Sequence, residues 1–239
     1  VVRHGRTSGG AIGNPTGVAY DSVRQLAYVA GGSQDALAVI DVSDPDNLSF
    51  RDYITGRGTY MNYAHAVAYD SVRQLAFVTG AYEGQGLGVI DVSDPDDLYD
   101  YGGVNDSTYM NLARGVAYDS ARQLAYVTGG NSHSLAVVDV SYPASISVIG
   151  GIKGTSNGTE GAQRIYRYMQ GAYGVAYDSA RQLAFVAGVN SDSLAVVDVS
   201  DRSNPVLLGG VKDSTYMQGP HDVAYDSARQ FAYVAGANS

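Results

Sequence analysis

The chain has 239 residues, a net charge of −9 and neither Cys nor Trp. Only two of its fifteen basic residues are Lys, and this acidic balance argues against nucleic acid or an anionic membrane as a partner, since both reward clustered basic side chains. No disulfide can form without cysteine, and no apolar run approaches the length of about 18 residues that a membrane span needs.

A motif of fifteen residues recurs along the chain and sets its organisation. It first appears as GVAYDSVRQLAYVAG from Gly17, and its Val-Ala-Tyr core begins at Val18, Val67, Val116, Val175 and Val223. The intervals between these positions are 49, 49, 59 and 48 residues. Such a period is typical of a repeat architecture, in which neighbouring units bury each other's apolar faces.

Each repeat predicts four short strands. Val-Ala-Tyr-Asp and Leu-Ala-Tyr-Val are β-prone runs, joined in the first repeat by residues 21–25, which is the length of a hairpin connection. A third run follows, LAVIDVSDP from Leu37, and then a weaker fourth, LSFRDYI from Leu48. The first three runs are apolar at nearly every position, which indicates cover on both faces. The sequence therefore predicts an all-β chain of four-stranded antiparallel blades, a β-propeller.

The third and second runs of the repeat also carry a family resemblance. LAVIDVSDP from Leu37 and LAVVDVSYP from Leu135 resemble the repeat of the LVIVD family. The second runs, LAYVAG and LAYVTG, are similar to the related YVTN-type propeller repeats. This resemblance extends over the whole chain and implies a bacterial or archaeal β-propeller, secreted or held at the cell surface. It implies no shared reaction, cofactor or catalytic residue.

We expect a single domain, 1–239, with full blades at about residues 18–56, 67–104, 116–153 and 175–212. Residues 1–6 align with the outer strand at 206–211. They are therefore expected to pair with the strands within 223–236 and close a five-bladed ring, which removes sheet edges. This composite blade, 223–239 with 1–6, lacks a third strand. The sequence predicts that the chain continues beyond Ser239 into an LAVVDVS-like segment, or that a neighbouring molecule covers the unpaired edge.

The 59-residue interval contains an insertion of about ten residues, within 154–167. Gly, Ser, Thr and Asn dominate its first half, which predicts a loop. The connections before the later inner strands also carry a Tyr-Met motif, at Tyr60-Met61, Tyr109-Met110, Tyr168-Met169 and Tyr216-Met217. We interpret it as packing of each connection onto its own blade. The alternative is a belt of Met and Tyr around a ligand funnel.

Two residues before each Val-Ala-Tyr the repeats diverge, to Thr16, His65, Arg114, Tyr173 and His221. Because innermost strands start at the mouth of a propeller's channel, we expect these side chains to converge there. The 154–167 segment, with Arg164 and Arg167, is expected beside them. Arginine is always charged and histidine has an ordinary pKa of about 6.5. The set predicts a locally cationic ring for a carboxylate, a sulfate or an acidic sugar. The alternative is five solvated loop residues.

Other recurring charges are expected to be structural. One arginine recurs in each inner hairpin, at Arg24, Arg73, Arg122, Arg181 and Arg229. On the face opposite the ring, these should pair with the hairpin Asp of their own or the next blade. Asp41, Asp44 and Asp46 lie in a DVSDPD run that lacks the Gly and the distal Glu of an EF-hand loop. Asx turns explain this run, and no metal site is predicted.

The sequence contains no cysteine nucleophile and no GxSxG motif, so no catalytic residue is assigned. We interpret the chain as a non-enzymatic binding or scaffold propeller, extracellular or at the cell surface, with an acidic glycan or a protein as ligand at the channel mouth. Two alternatives stay open. One is a hydrolase or lyase on an acidic polysaccharide, with His65 or His221 as base and Arg114 on the substrate carboxylate. The other is a structural segment of a longer surface protein.

Overall fold

The computed structural model of the chain describes residues 12–56, 60–82 and 86–237. The first eight strands are β1 (Pro15–Asp21), β2 (Leu26–Gly31), β3 (Ala36–Asp41), β4 (Ser49–Thr55), β5 (Ala64–Asp70), β6 (Leu75–Gly80), β7 (Gly86–Asp91) and β8 (Tyr99–Asn105). The later strands are β9 (Ala113–Asp119), β10 (Leu124–Gly129), β11 (Ser134–Asp139), β12 (Ser147–Lys153), β13 (Ala172–Asp178), β14 (Leu183–Gly188), β15 (Ser193–Asp198), β16 (Val206–Lys212), β17 (Pro220–Asp226) and β18 (Phe231–Gly236).

These strands form four sheets of four strands and one of two, and neighbours within a sheet are consecutive and antiparallel. The sheets are β1–β4, β5–β8, β9–β12, β13–β16 and β17–β18. The predicted all-β repeat of four antiparallel strands is therefore confirmed for four repeats. Residues 1–6, on which the predicted ring closure depends, lie outside the described residues, and closure stays a prediction.

The contacts divide the chain into two units, each described by itself, and the expectation of one domain over 1–239 stays a prediction. The first unit contains the β1–β4 and β5–β8 sheets, whose shared core includes Tyr28, Leu37 and Met61. The second unit contains the other three sheets. Its core includes Leu124 and Met169, and a smaller cluster packs the β17–β18 sheet onto the β13–β16 sheet.

The inner strands begin three residues earlier than the sequence predicts. β1 begins at Pro15 rather than Val18, and β17 at Pro220 rather than Val223. A register shift between Pro15 and Gly17 shows a bulge at this point in β1, and β17 has a similar shift after Pro220. The polar residues and glycines of the bulge interrupt the apolar pattern, and the predicted blades therefore started too late.

The insertion at 154–167 is not a loop throughout, which corrects the sequence expectation. Its second half belongs to α1 (Glu160–Met169), which packs on β12, β14, β15 and β16. The Thr159 hydroxyl caps this helix by accepting a hydrogen bond from the Ala162 N–H at 3.4 Å. Ala162, Ile165 and Met169 recur at helical spacing, and the last two contribute to the core. Turn residues in the first half hid this short period.

The Tyr-Met motifs pack the connections onto their own sheets, as predicted. The fully buried methionines are Met61, Met110 and Met169. The ring of Tyr168 lies against Gly210 of β16 in the sheet that this connection leads into. In the last repeat Met217 is only partly buried and Tyr216 is exposed. This difference follows from the β17–β18 sheet, which has no outer strands among the described residues to cover that motif.

Candidate functional site

The predicted ring residues occupy one equivalent place in the fold, the second position of an inner strand. They are Thr16 in β1, His65 in β5, Arg114 in β9, Tyr173 in β13 and His221 in β17. Thr16 and His65 belong to the first unit and the other three to the second. The two groups are therefore described separately.

Arg114, Tyr173 and His221 form a continuous column across three neighbouring inner strands. The guanidinium carbon of Arg114 lies 5.0 Å from the centroid of the Tyr173 ring, a cation–π distance. On its other side Tyr173 meets His221 edge to face, with ring centroids 4.7 Å apart. The sequence prediction that divergent side chains from different repeats come together is met by these three residues.

Two glycines allow the column to form, because they let the inner strands approach closely. A Cβ atom at Gly115 would lie 2.4 Å from the carbonyl oxygen of Tyr173, and one at Gly174 would lie 2.7 Å from the Cα atom of Asp222. Real side chains do not reach such distances from a backbone atom. Each glycine directly follows a member of the column, so the close approach occurs where Arg114, Tyr173 and His221 are carried.

Thr128 of β10 fixes the backbones that carry Arg114 and Tyr173. Its buried hydroxyl donates a hydrogen bond to the carbonyl oxygen of Tyr173 and accepts one from the Gly115 N–H at 2.8 Å. The side chain thereby joins β9 to β13 at the level of the column. Sequence reasoning missed this residue, although a threonine in place of the alanine of the first repeat marks the position at both Thr79 and Thr128.

His221 is the exposed end of the column. Its Nδ1 lies 2.7 Å from the carbonyl oxygen of Gly219. Because a carbonyl can only accept, this contact assigns the hydrogen to Nδ1 and leaves Nε2 as the atom that gains a proton. The neighbouring carboxylate of Asp222 accepts the N–H of Val223 at 2.9 Å. The column therefore combines a permanent cation, an aromatic ring and a histidine that can become cationic.

The first unit holds its two predicted residues in a different manner. The Thr16 hydroxyl donates to the carbonyl oxygen of Ala64 at 3.1 Å, which joins β1 to β5. His65 is buried, with 7% of its surface exposed, whereas His221 at the equivalent position is exposed. The same position in the repeat is thus a packed residue in one sheet and a surface residue in another.

Arg164 and Arg167 lie on α1, which packs on outer rather than inner strands. Arg164 donates from Nη2 to the carbonyl oxygen of Leu208 in β16 at 2.7 Å, and Arg167 is exposed. Arg164 is thus directed to an outer strand, whereas Tyr173 and His221 are on inner strands. Nowhere in the described chain is there a helix long and apolar enough to cross a membrane.

At the other end of the inner strands, the recurring Asp and Arg form ion pairs, as predicted. The pairs are Arg24–Asp21 at 2.7 Å, Arg73–Asp70 at 2.6 Å, Arg122–Asp119 at 2.6 Å, Arg181–Asp178 at 2.5 Å and Arg229–Asp226 at 2.9 Å. A tyrosine of the next inner strand joins several of them: the Tyr177 hydroxyl donates to Asp119 Oδ2 at 2.8 Å. We call the hairpin Asp, the hairpin Arg and this tyrosine a latch.

The latches hold neighbouring sheets together and are filled by the chain's own groups. Burial by itself would raise the pKa of Asp21, but hydrogen bonds from Arg24 and Tyr69 outweigh it and bring the pKa to about 2. The pKa of Asp119 is lowered in the same way, by Arg122 and Tyr177 against burial. Sequence reasoning found the Asp and Arg but missed the tyrosine, although Val-Ala-Tyr-Asp places it beside the Asp in all five repeats.

The acidic runs after the third strands form Asx turns, as predicted. Asp41 Oδ1 accepts the N–H of Ser43 at 3.0 Å, and Asp44 Oδ1 accepts that of Asp46 at 3.1 Å. Equivalent turns follow the third strands of the other full sheets. Among the described residues no group of three or more His, Cys, Asp or Glu is arranged to hold a metal ion.

A separate acceptor position ties each second hairpin to the next inner strand, and in one sheet it is a histidine. His133 Nδ1 accepts the N–H of Gly171 at 3.0 Å, while Asp35 Oδ1 accepts from Tyr63 at 2.7 Å and Asp192 Oδ1 from Gly219 at 3.0 Å. Burial lowers the pKa of His133 below its ordinary value.

We expect the stability of the second unit to fall between pH 7.5 and 5 because of His133. A histidine with a lowered folded-state pKa contributes stability above its unfolded pKa, and this is lost as pH falls through the folded value. Protonation also removes the acceptor for Gly171. His133→Asp, which keeps an acceptor as in the equivalent positions, should flatten this dependence, and His221→Gln should not. Urea denaturation at pH 7.5, 6 and 5 measures it; equal slopes for wild type and His133→Asp would contradict it.

Comparison with known families identifies part of the repeat. A family model described as LVIVD repeat matches residues 25–53, 124–153 and 183–213. Each matched segment runs from the second strand of a sheet into its fourth. No curated protein sequence matches the chain.

Solved structures match nearly the whole chain at low sequence identity. A Lactobacillus plantarum protein is 18% identical, with a TM-score of 0.77. The periplasmic gluconolactonase PpgL of Pseudomonas aeruginosa is 14% identical, with a TM-score of 0.72. The β-propeller domain of Myceliophteria thermophila Cps50 (Swd1) is 10% identical, with a TM-score of 0.65. The matches cover 94%, 94% and 95% of this chain, which spans 64% of each relative. Such identities speak for the fold alone, four blades and a partial one.

Proposed function

Because the chain is built of LVIVD repeats and its structural relatives are β-propellers, we propose that it is a binding module that holds an acidic group of a glycan or protein ligand on the Arg114–Tyr173–His221 column. The proposal needs only the three inner strands β9, β13 and β17. It is independent of the predicted closure of a five-bladed ring by residues 1–6.

The observation that carries the proposal is the stacking of Arg114 on Tyr173, with His221 against the same ring. Stacking occupies the face of a guanidinium, whereas a carboxylate or sulfate is bound by N–H groups along its edge. A planar aromatic ring beside a cation also suits a sugar ring that carries an acid group. The column therefore supports an acidic oligosaccharide as the ligand class.

The local charge supports an anionic ligand although the whole chain is acidic. Exposed charges farther away than about 8 Å are largely screened at physiological salt, so the charges next to the ligand decide. The nearest opposing group is the carboxylate of Asp222, which already accepts the Val223 N–H. Arg114 stays charged at every working pH, and histidine is the side chain that gains charge between pH 8 and 5.

The proposal includes a location outside the cytoplasm, at the cell surface or in the medium. The family resemblance supports it, since LVIVD-type propellers are typical of that setting. Fractionation of the producing cells, followed by detection of the chain, tests it. Recovery in the cytoplasmic fraction alone would remove this part of the proposal and leave the binding column untouched.

We expect Arg114→Ala to weaken binding of oligogalacturonate at least tenfold, because a hydrogen bond from a charged donor contributes about 1.5–3 kcal/mol. Arg114→Lys should fall between, since it keeps the charge but loses the planar fork. Binding should strengthen from pH 8 to pH 5, and His221→Gln should weaken that trend. Titration calorimetry with oligogalacturonate, and with neutral oligogalactose as the matched probe, gives the dissociation constants.

The control is Arg202→Ala, which removes the same charge from an exposed arginine on an outer turn of the same unit. Equal losses for Arg114→Ala and Arg202→Ala would show a general charge effect and contradict the proposal, as would binding that strengthens towards pH 8. Shortened oligosaccharide products in the same samples would favour the alternative of a polysaccharide hydrolase or lyase. Absence of binding to any acidic probe would leave a structural segment as the function.

A further inference from the structure

Each complete latch needs two successive sheets, because its tyrosine comes from the next inner strand. Within the first unit Tyr69 donates to Asp21 at 2.7 Å, and within the second unit Tyr225 donates to Asp178 at 2.8 Å. An aromatic ring of the second strand stacks beside the same tyrosine. The centroid distances are 4.8 Å for Tyr28–Tyr69, Tyr126–Tyr177 and Phe185–Tyr225.

Two half-latches are left at the outer faces of the described sheets. Asp226 and Arg229 form the ion pair, but no tyrosine among the described residues joins them, and Arg229 is 71% exposed where Arg122 is 23% exposed. Tyr20 of β1 is the tyrosine without a latch. Its side chain is 55% exposed, and no described residue bonds its hydroxyl. One half-latch supplies the acid and the base, and the other supplies the phenol.

The apolar faces around the half-latches are open in the same way. Tyr233 of β18 is 54% exposed, although Tyr28 at the equivalent position is fully buried under the next sheet. Phe231 lies on the same face of β18 and is also exposed. On the other half-latch, Val18 accompanies Tyr20 on one face of β1, and both are exposed. Each face thus presents the side chains that the repeat elsewhere buries against a neighbouring sheet.

We propose that these faces form a head-to-tail interface between copies of the chain, in which the β17–β18 sheet of one copy packs on β1 of the next. Tyr20 of the second copy donates to the Asp226 carboxylate, accepts from Arg229 and stacks on Tyr233. A second copy fits because the missing half of each latch is the half that the other face carries. The two faces differ, so the contact is heterologous and propagates from copy to copy unless it closes into a ring.

The test uses one blocking variant for each face, both at exposed positions, where substitution leaves the core intact. Val18→Glu blocks the β1 face and Tyr233→Glu blocks the β18 face. Sedimentation of the wild type from low to high micromolar concentration should show a mass that rises with concentration. Each variant alone should stay monomeric. An equimolar mixture should give a dimer and nothing larger, because the pair retains one intact copy of each face.

Tyr20→Phe refines the test, since it removes only the phenol that the half-latch lacks. We expect it to raise the dissociation constant of self-association about tenfold, the effect of losing one hydrogen bond to a charged group. A wild type that is monomeric at every concentration would overturn the proposal, including the case where the chain's own β1 covers the β18 face. Self-association of the single variants, or a mixture that stays monomeric, would overturn it too.

Discussion

Replacing Asp119 by Ala is expected to lower the free energy of unfolding of the second unit by about 3–5 kcal/mol, because removing one partner of a buried ion pair leaves the other charge uncompensated. The Asp119 carboxylate accepts four hydrogen bonds: from the N–H groups of Ala121 and Arg122, from Arg122 Nε and from the Tyr177 hydroxyl. Arg122 in turn donates to the Val199 carbonyl at 3.0 Å. The variant therefore breaks a network that ties the β9–β12 sheet to the β13–β16 sheet.

The control for this prediction is Asp226→Ala, which removes the same carboxylate from a half-latch. Its partner Arg229 is exposed, so the pair should contribute no more than about 1 kcal/mol. Urea denaturation of both variants, at a concentration low enough to avoid self-association, measures the two losses. If Asp226→Ala cost as much as Asp119→Ala, the latch tyrosine and the burial would not be what gives the pair its value.

The latch also predicts an acid limit for stability. Because the pKa of Asp119 is lowered in the folded chain, its contribution is complete above the ordinary Asp pKa and is lost as pH falls through the folded value. The wild type should therefore lose stability steeply below about pH 4. Asp119→Ala should lose less over this range, since part of that contribution is already absent.

Replacing Met169 by Ala is expected to cost about 2–5 kcal/mol of unfolding free energy, the range for removing a large buried apolar side chain. Met169 is fully buried at the end of α1, among core residues contributed by both neighbouring four-stranded sheets of the second unit. The cavity left by the variant would be enclosed by strands, which cannot collapse into it easily. The measurement is the shift in urea midpoint relative to the wild type.

Met217 provides the matched control, since it occupies the same place in the last repeat. It is only partly buried against the cluster of Phe185, Leu194 and Val223. Met217→Ala should cost well under half as much as Met169→Ala, because little of the side chain is removed from water. Similar losses for the two variants would mean that the motif stabilises the connection locally rather than through the sheets beneath it.

The sequence predicts the elements of each repeat well because these depend on local chemistry. β-branched and aromatic runs, hairpin-length connections and Asx turns recur in every repeat, and the structure confirms them along with the hairpin ion pairs. The helix α1 escaped prediction because turn residues precede its short apolar period. The start of each inner strand was misplaced because a bulge interrupts the pattern there.

The candidate site could be predicted only as a set of equivalent positions. Counting back from Val-Ala-Tyr identified Arg114, Tyr173 and His221, but the repeat could not show that His65 is buried while His221 is exposed. Nor could it show the Thr128 hydroxyl that joins β9 to β13, since this contact connects residues 45 positions apart. Such contacts depend on which sheets come to lie side by side.

The sequence by itself determined the repeating four-stranded sheet, since every repeat has the same period, turns and apolar runs. Only the tertiary structure decided what each equivalent position does. Tyr28 is buried and bonded to Arg24, whereas Tyr233, with the same neighbours in sequence, is more than half exposed. The physical reason is that burial in a repeat protein comes from the next sheet in space. A residue's own repeat fixes its strand and direction, and its neighbour fixes whether it becomes core, latch or binding surface.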